Sequence, residues 1–319
     1  MLKFISRKIA FQWIIFLGLF MFAIYTVITK SQLASAEGTP FLFQSFVRFF
    51  SQYEYFGKGI IIAVLLFQIL FLEYYFKINE FVAKNSLLPA CFYLSILLLS
   101  KSLTIISPFF FTLFFSLIII SIDFTGNVEN LKNNVFRSGA IIALATGFDI
   151  CSIVLLFSVI ATLLINQFSR IKEIGILIFG FVLLYLYIFS FYFFTDNLYE
   201  WLMTFQQIKI AGILSSNIPN MTRTLLTAIG LSIVYISFLI RFKLLNDSKI
   251  VIQRNRVITL NTRAILMLVC LLLSSSNYPV VLGYLFVHLS IYLAMLAQER
   301  NPLYINELIT IITLVALWL

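Results

Sequence analysis

Histidine occurs once in 319 residues, at His288, and cysteine three times. Cys91, Cys151 and Cys270 stand far apart, each inside an apolar run, with no CxxC and no Cys/His spacing. That pattern excludes a disulfide framework and gives no metal-ligand set. Acids are also scarce: Asp and Glu together number 13, and all charged residues make up 11% of the chain, too few to cover the surface of a soluble domain of this size. HExxH, P-loop, GxSxG and dinucleotide-binding patterns are all missing, so no motif names a reaction or a cofactor.

What fills the chain instead is apolar. Hydrophobic residues reach 61%, 36 of them Phe, and the mean hydropathy is +1.03. A chain of this kind is a polytopic all-α membrane protein, here a single integral domain over residues 1–319 with almost no soluble part. The net charge of +9 comes from cations lying between apolar runs, where they set orientation and meet anionic headgroups rather than nucleic acid.

The organising stretch is 136–167, FRSGAIIALATGFDICSIVLLFSVIATLLINQ. Beyond Arg137 at its start it carries no charge except Asp149 near its middle, and it is too long for one ordinary crossing, which needs about 20 residues. Either one tilted helix carries a carboxylate through the bilayer centre, or two short helices meet at Gly147-Phe148-Asp149. Lys and Arg decide between them. With a hairpin and a cytoplasmic N-terminus, sixteen of the 22 cations fall inside and six outside. A single span instead puts thirteen outside, including the most basic loop, 241–263. The hairpin is therefore expected, with its tip facing outward.

In chain order, Lys3, Arg7 and Lys8 precede an uncleaved first anchor over 9–29. The first outer loop, 30–58, contains PFLFQSFVRFFSQYEYF over 40–56, in which Gln44, Arg48, Gln52 and Glu54 recur at nearly every fourth position against aromatic residues. That spacing predicts a helix lying in the membrane interface. Spans follow at 59–76, 87–100 and 103–122, two of them short or carrying a proline. A polar loop over 123–132 leads into the hairpin, and a span over 174–194 follows it. The second outer loop, 195–223, precedes spans at 224–240, 264–276, 280–297 and 303–319. The count is about eleven transmembrane helices, several short, with the C-terminus periplasmic and the whole in a bacterial inner membrane.

Few residues can carry chemistry. Glu73, Glu80, Asp123, Glu129, Glu173, Asp247 and Glu299 lie beside Lys, Arg or turn residues and read as solvated loop acids or local ion pairs. Asp149 stands out, because an acid among apolar residues needs a partner or water; it serves either as a functional carboxylate or as the cap of the helix that follows. Glu37 is either a second outer-face carboxylate or a loop acid. His288, with Tyr284 and Tyr292 one turn away on either side, reads as a packed imidazole. Gly139, Ala143 and Gly147 make a small-xxx-small series suited to close helix packing.

The sequence Asn85-Ser86-Leu87-Leu88-Pro89 ahead of a short helix, FRSGAIIALATGF after a polar loop, and Asn277-Tyr278-Pro279 before VVLGYLFVHLSIYLA together resemble a family of multispan inner-membrane proteins of Bacteroidota. That resemblance implies a fold and a location but no catalytic residues. The arrangement of a long outer loop with an interfacial helix after span one, short central helices and a second long outer loop is similar to the C-type membrane glycosyltransferases. This implies a polyprenyl-phosphate sugar donor and an outer-loop acid acting as base or metal ligand. Asp149 and Glu37 are then the catalytic candidates, while Arg48, Lys58, Lys101 and Arg223 are the candidates for binding the donor phosphate. The first outer loop here has Glu37 and Glu54 and no Asp, and no large soluble domain is present. A non-catalytic scaffold or subunit of a cell-envelope complex, meeting lipids and a partner membrane protein, is the second reading. A secondary transporter, which calls for inverted repeats, is the third.

Overall fold

The computed structural model describes residues 9–33, 41–79, 86–99, 103–106, 108–122, 128–148, 150–165, 171–196, 198–199 and 287–294. Eight α-helices with assigned limits cover most of them: α1 (Ile9–Lys30), α2 (Phe41–Gln52), α3 (Glu54–Asn79), α4 (Leu88–Leu99), α5 (Pro108–Ser121), α6 (Val128–Phe148), α7 (Val154–Ile165) and α8 (Ile171–Phe194). A 3-10 turn, Ile150–Ile153, leads into α7, and residues 287–294 are also helical. The one departure from an all-helical fold among the described residues is a two-residue parallel ladder, Gln32–Leu33 on Ile105–Ile106.

Among the described residues, three helices are long and apolar enough to cross a membrane: α1, the Glu54–Tyr75 part of α3, and α8. Their apolar side chains face outward in number, with Ile14, Met21, Phe67, Leu70, Leu186 and Phe191 all exposed. A water-soluble helix would turn those positions inward; here lipid is the matching solvent. By contrast, α4 and α5 have 12 and 14 residues and few exposed positions. They form the interior, hydrophobic all round because protein covers every side.

The contacts sort the helix ends into two levels. At one level the Lys58 ammonium, near the start of α3, donates to the Ile28 carbonyl at the end of α1 (2.9 Å). At the other, Gln12 of α1 accepts from the Leu87 amide through its side-chain carbonyl (2.9 Å). That bond satisfies an amide left open just before α4, and Ser86 Oγ stands 3.4 Å from the Leu88 amide. The Ser86-Leu87-Leu88-Pro89 sequence is thus a helix start: Pro89 has no amide to satisfy, and a glutamine from another helix serves the residue that does. So α1 runs toward the α2 level, α3 runs away from it and α4 returns.

The central stretch breaks after Phe148, and the chain turns back there. Gly139 of α6 lies against Leu177 and Phe181 of α8, Gly180 lies against Phe136, and Thr146 Oγ1 is 2.7 Å from the Tyr185 hydroxyl. Higher numbers on α6 meet higher numbers on α8, so the two helices are parallel. A parallel pair needs a returning leg between them, and α7 is that leg. One continuous 38-residue helix would have set α8 antiparallel to α6. The α6–α8 contact is close because neither Gly139 nor Gly180 has a Cβ: one added to Gly139 would stand 2.2 Å from the Leu177 carbonyl oxygen.

Several expected boundaries shift. The interfacial helix expected over 40–56 ends at Gln52, and Glu54 to Phe56 belong to α3. Helical hydrogen bonds pass through the joint, Tyr53 amide to Phe49 carbonyl (3.0 Å) and Gly57 amide to Tyr53 carbonyl (2.9 Å), so the break is a bend rather than a loop. Gly57 makes it possible, since an added Cβ there would meet the Phe50 ring at 2.2 Å. The loop expected over 123–132 becomes helical from Val128. Gly139, Ala143 and Gly147 do not serve one partner: Gly139 packs on α8, whereas Gly147 faces Leu42 and Phe41 of α2. Glu173, read as a loop acid, is buried in the first turn of α8, and Glu73, read likewise, lies on α3, half-buried and near Cys91 of α4. All eight residues of the 287–294 helix are buried, so His288 is an interior residue.

Candidate functional site

The amphipathic helix α2 is the element around which a site is built. Phe41, Phe43 and Phe50 are buried, and Phe46 and Val47 pack against the same core. Ser45, Arg48, Ser51 and Gln52 are exposed. The four-residue polar spacing in the sequence therefore became one face of a helix whose opposite face is aromatic.

Beneath that face lie helix ends. Phe111, in the first turn of α5, packs edge-on against Phe46 (ring centroids 4.7 Å) and also reaches Phe43 (6.4 Å). Phe148, the last residue of α6, stacks on Phe111 (4.8 Å) and reaches Phe115 (5.7 Å). At the start of α2, Phe41 meets Tyr192 of α8 edge-on (5.9 Å). So α2 forms a roof, and the start of α5 and the end of α6 form its floor.

The floor lies well below the start of α3. Gln68 donates through Nε2 to the Phe110 carbonyl (2.9 Å) and accepts through Oε1 from the Tyr93 hydroxyl (2.9 Å). Ten residues separate Lys58 from Gln68, about 15 Å of helix. The first turn of α5 therefore sits roughly that far below the start of α3. Gln68 and Tyr93 are both fully buried, and this three-helix junction was not singled out from the sequence. Its signal was available: Gln68 is the single amide side chain inside the 59–76 apolar run, and a buried amide in such a run requires partners.

Of the expected site residues, Asp149, Glu37, Lys101 and Arg223 lie outside the described residues, as do the loops 195–223 and 241–263 as whole units and the spans expected at 224–240, 264–276 and 303–319. Arg48 is exposed on the polar face of α2. Lys58 is occupied: besides the Ile28 carbonyl, it makes an ion pair with Glu54 at 2.6 Å. It closes the end of α1, where a cation meets the open carbonyls and the negative end of the helix dipole. Glu54 is largely exposed, so this pair contributes well under about 1 kcal/mol; its effect is to position the start of α3. Among the described residues no group of three or more His, Cys, Asp or Glu could hold a metal ion.

Comparison of the chain with protein-family profiles, with curated proteins and with solved structures finds no match. The fold and its site stand on their own chemistry: apolar helices of membrane-spanning length, with an amphipathic helix laid over the ends of α5 and α6.

Proposed function

We propose that this chain handles a lipid-linked sugar or related lipid substrate at the outer face of a bacterial inner membrane, in the manner of a C-type membrane glycosyltransferase. The topology that goes with this reading has about eleven spans, a cytoplasmic N-terminus and a periplasmic C-terminus. One observation carries it: α2 lies over the tip of the broken central stretch, with Phe148 stacked on Phe111 directly beneath its aromatic face. Asp149 is the next residue in the chain, and Glu37 precedes α2 by four residues. Roof and floor thus each come with a carboxylate in sequence, and Arg48 on the roof is a cation at headgroup level.

In this reading a carboxylate takes the proton of an acceptor hydroxyl as its oxygen attacks the anomeric carbon. The bond to the lipid phosphate breaks, and the phosphate leaves with the bonding electrons. Arg48, Lys101 and Arg223 are the cations proposed to hold that phosphate. Lys58 is withdrawn from the set, because its ammonium is engaged by Glu54 and the Ile28 carbonyl.

The test is release of polyprenyl phosphate from a radiolabelled polyprenyl-phosphate hexose by the full chain in proteoliposomes supplied with a bacterial envelope extract as the source of acceptor hydroxyls. Asp149→Asn and Glu37→Gln are each expected to lower release by about 100-fold or more while leaving the folded protein in the membrane. Full activity in both variants, or no release by the wild type, would overturn the assignment. The second reading, a non-catalytic scaffold of the cell envelope, is favoured by the directness of the roof-to-floor packing, in which Leu42 sits on Gly147; it predicts no release at all.

A further inference from the structure

The flank of α2 carries an exposed feature. Between its buried aromatic face and its polar face lies a second aromatic strip: Phe49, half-buried, with the Tyr53 ring at 5.5 Å and the Phe56 ring at 5.7 Å. Tyr53 is 59% exposed and Phe56 65% exposed. On a helix these positions follow one another at four and three residues, so they form one continuous surface. Arg48 and Gln52 are exposed along its polar border.

The strip does not end at the bend. Phe56 starts an exposed apolar line down α3 that continues through Ala63, Phe67, Leu70 and Tyr74. From Phe56 to Tyr74 is eighteen residues, about 27 Å of helix, longer than one leaflet of hydrocarbon and near its full thickness of about 30 Å. A cation and an amide therefore stand at the head of an aromatic corner, and an exposed apolar track runs down from it that is more than long enough for one acyl chain of a single leaflet. A protein partner would have to match this narrow line over its whole length, whereas an acyl chain matches it by being flexible.

We infer that the corner formed by Arg48, Gln52, Phe49, Tyr53 and Phe56 is the seat of one anionic phospholipid of the surrounding leaflet. Its phosphate is held by Arg48, and its first chain segment is packed against the aromatic strip and then along α3. Tyrosine and phenylalanine sit at the boundary between headgroup and hydrocarbon, while arginine reaches to the phosphate with its apolar stem along the rings. This inference depends on the chain lying in a bilayer and not on the transferase reading. Its failure would leave the polyprenyl-phosphate assay untouched, and failure of that assay would leave this site standing.

The experiment is native mass spectrometry of the full chain released from nanodiscs containing equal phosphatidylglycerol and phosphatidylcholine. The wild type is expected to retain at least one phosphatidylglycerol in preference to phosphatidylcholine. Arg48→Gln should lower that preference about fivefold, the size expected for one cation near a lipid surface. Tyr53→Ser should lower retention of both lipids. Lys132→Gln, an exposed cation on α6 away from the corner, should change neither. Size-exclusion profiles and thermal unfolding keep a folding defect from passing as a lipid effect. Equal phosphatidylglycerol preference in wild type and Arg48→Gln would overturn the inference, as would equal losses in Arg48→Gln and Lys132→Gln, or a lipid-free dimer that Tyr53→Ser dissociates.

Discussion

Placing a methyl group at Gly139 tests the packing on which the parallel α6–α8 pair depends. A Cβ at that position would stand 2.2 Å from the Leu177 carbonyl oxygen and 3.0 Å from the Phe181 nitrogen. Both are backbone atoms, so no rotamer change relieves the clash. The helices must move apart by about 1 Å before carbon and oxygen reach ordinary contact, and the 2.7 Å contact between Thr146 and Tyr185 then lengthens as well. Overpacking of this kind costs about 3 kcal/mol at the upper end of its range, while replacing Gly by Ala within a helix returns about 1 kcal/mol. The expected net loss for Gly139→Ala is therefore about 2 kcal/mol, measured by reversible unfolding in bicelles. Gly180→Ala should behave alike, because its Cβ would meet the Phe136 carbonyl oxygen at 2.5 Å. One separation of the helices relieves both clashes, so the double variant should lose less than the sum of the two. Gly175→Ala on the same helix, with nothing within 4 Å, is the control and should be neutral or slightly stabilising. A Gly139→Ala protein as stable as wild type, or a strictly additive double variant, would refute the parallel glycine contact.

Two further outcomes follow from the polar junction and the roof. Gln68→Leu removes the partner of the buried Tyr93 hydroxyl and should destabilise by about 1–3 kcal/mol; adding Tyr93→Phe should recover part of that loss, and a Gln68→Leu protein no less stable than wild type would show that the Tyr93–Gln68–Phe110 chain does not hold α3, α4 and α5 together. Gly147→Ala places a methyl 2.5 Å from the Leu42 side chain and should lift the start of α2, seen as increased cysteine labelling at the half-buried position 44 in Gln44→Cys; because the clashing neighbour is a flexible side chain and not backbone, Leu42→Ala should restore stability in an unfolding assay, and lack of rescue would argue against the α2–α6 contact.

Much of this architecture was legible in the sequence. The lack of charge and the abundance of Phe predicted apolar helices of membrane length, and the recurrence of Gln44, Arg48 and Gln52 against aromatics predicted a helix with one polar and one aromatic face, which is α2. The balance of Lys and Arg required a turn near Asp149, and the structure has α6 ending at Phe148. These properties are local or compositional: helical period, helix length and the cost of charge in hydrocarbon act on a segment whatever its neighbours are. Partner choice was not legible. Nothing in the spacing of Gly139 and Gly147 shows that one meets α8 and the other α2. Nor does Gln12 announce that it completes the start of α4, or Gln68 that it bridges Tyr93 and the Phe110 carbonyl. Lys58 had the sequence of a phosphate-binding cation until the end of α1 came within reach of its ammonium. Such assignments depend on which helix ends arrive at the same level, and that is settled by packing between segments far apart in the chain, such as Gln12 and Cys91, 79 residues apart. The sequence alone determined that the chain carries helices long and apolar enough to cross a membrane and that its central stretch breaks near Phe148; only the tertiary structure decided that α2 covers the ends of α5 and α6, because close packing and the pairing of buried polar groups are properties of the assembled bundle and not of any one segment.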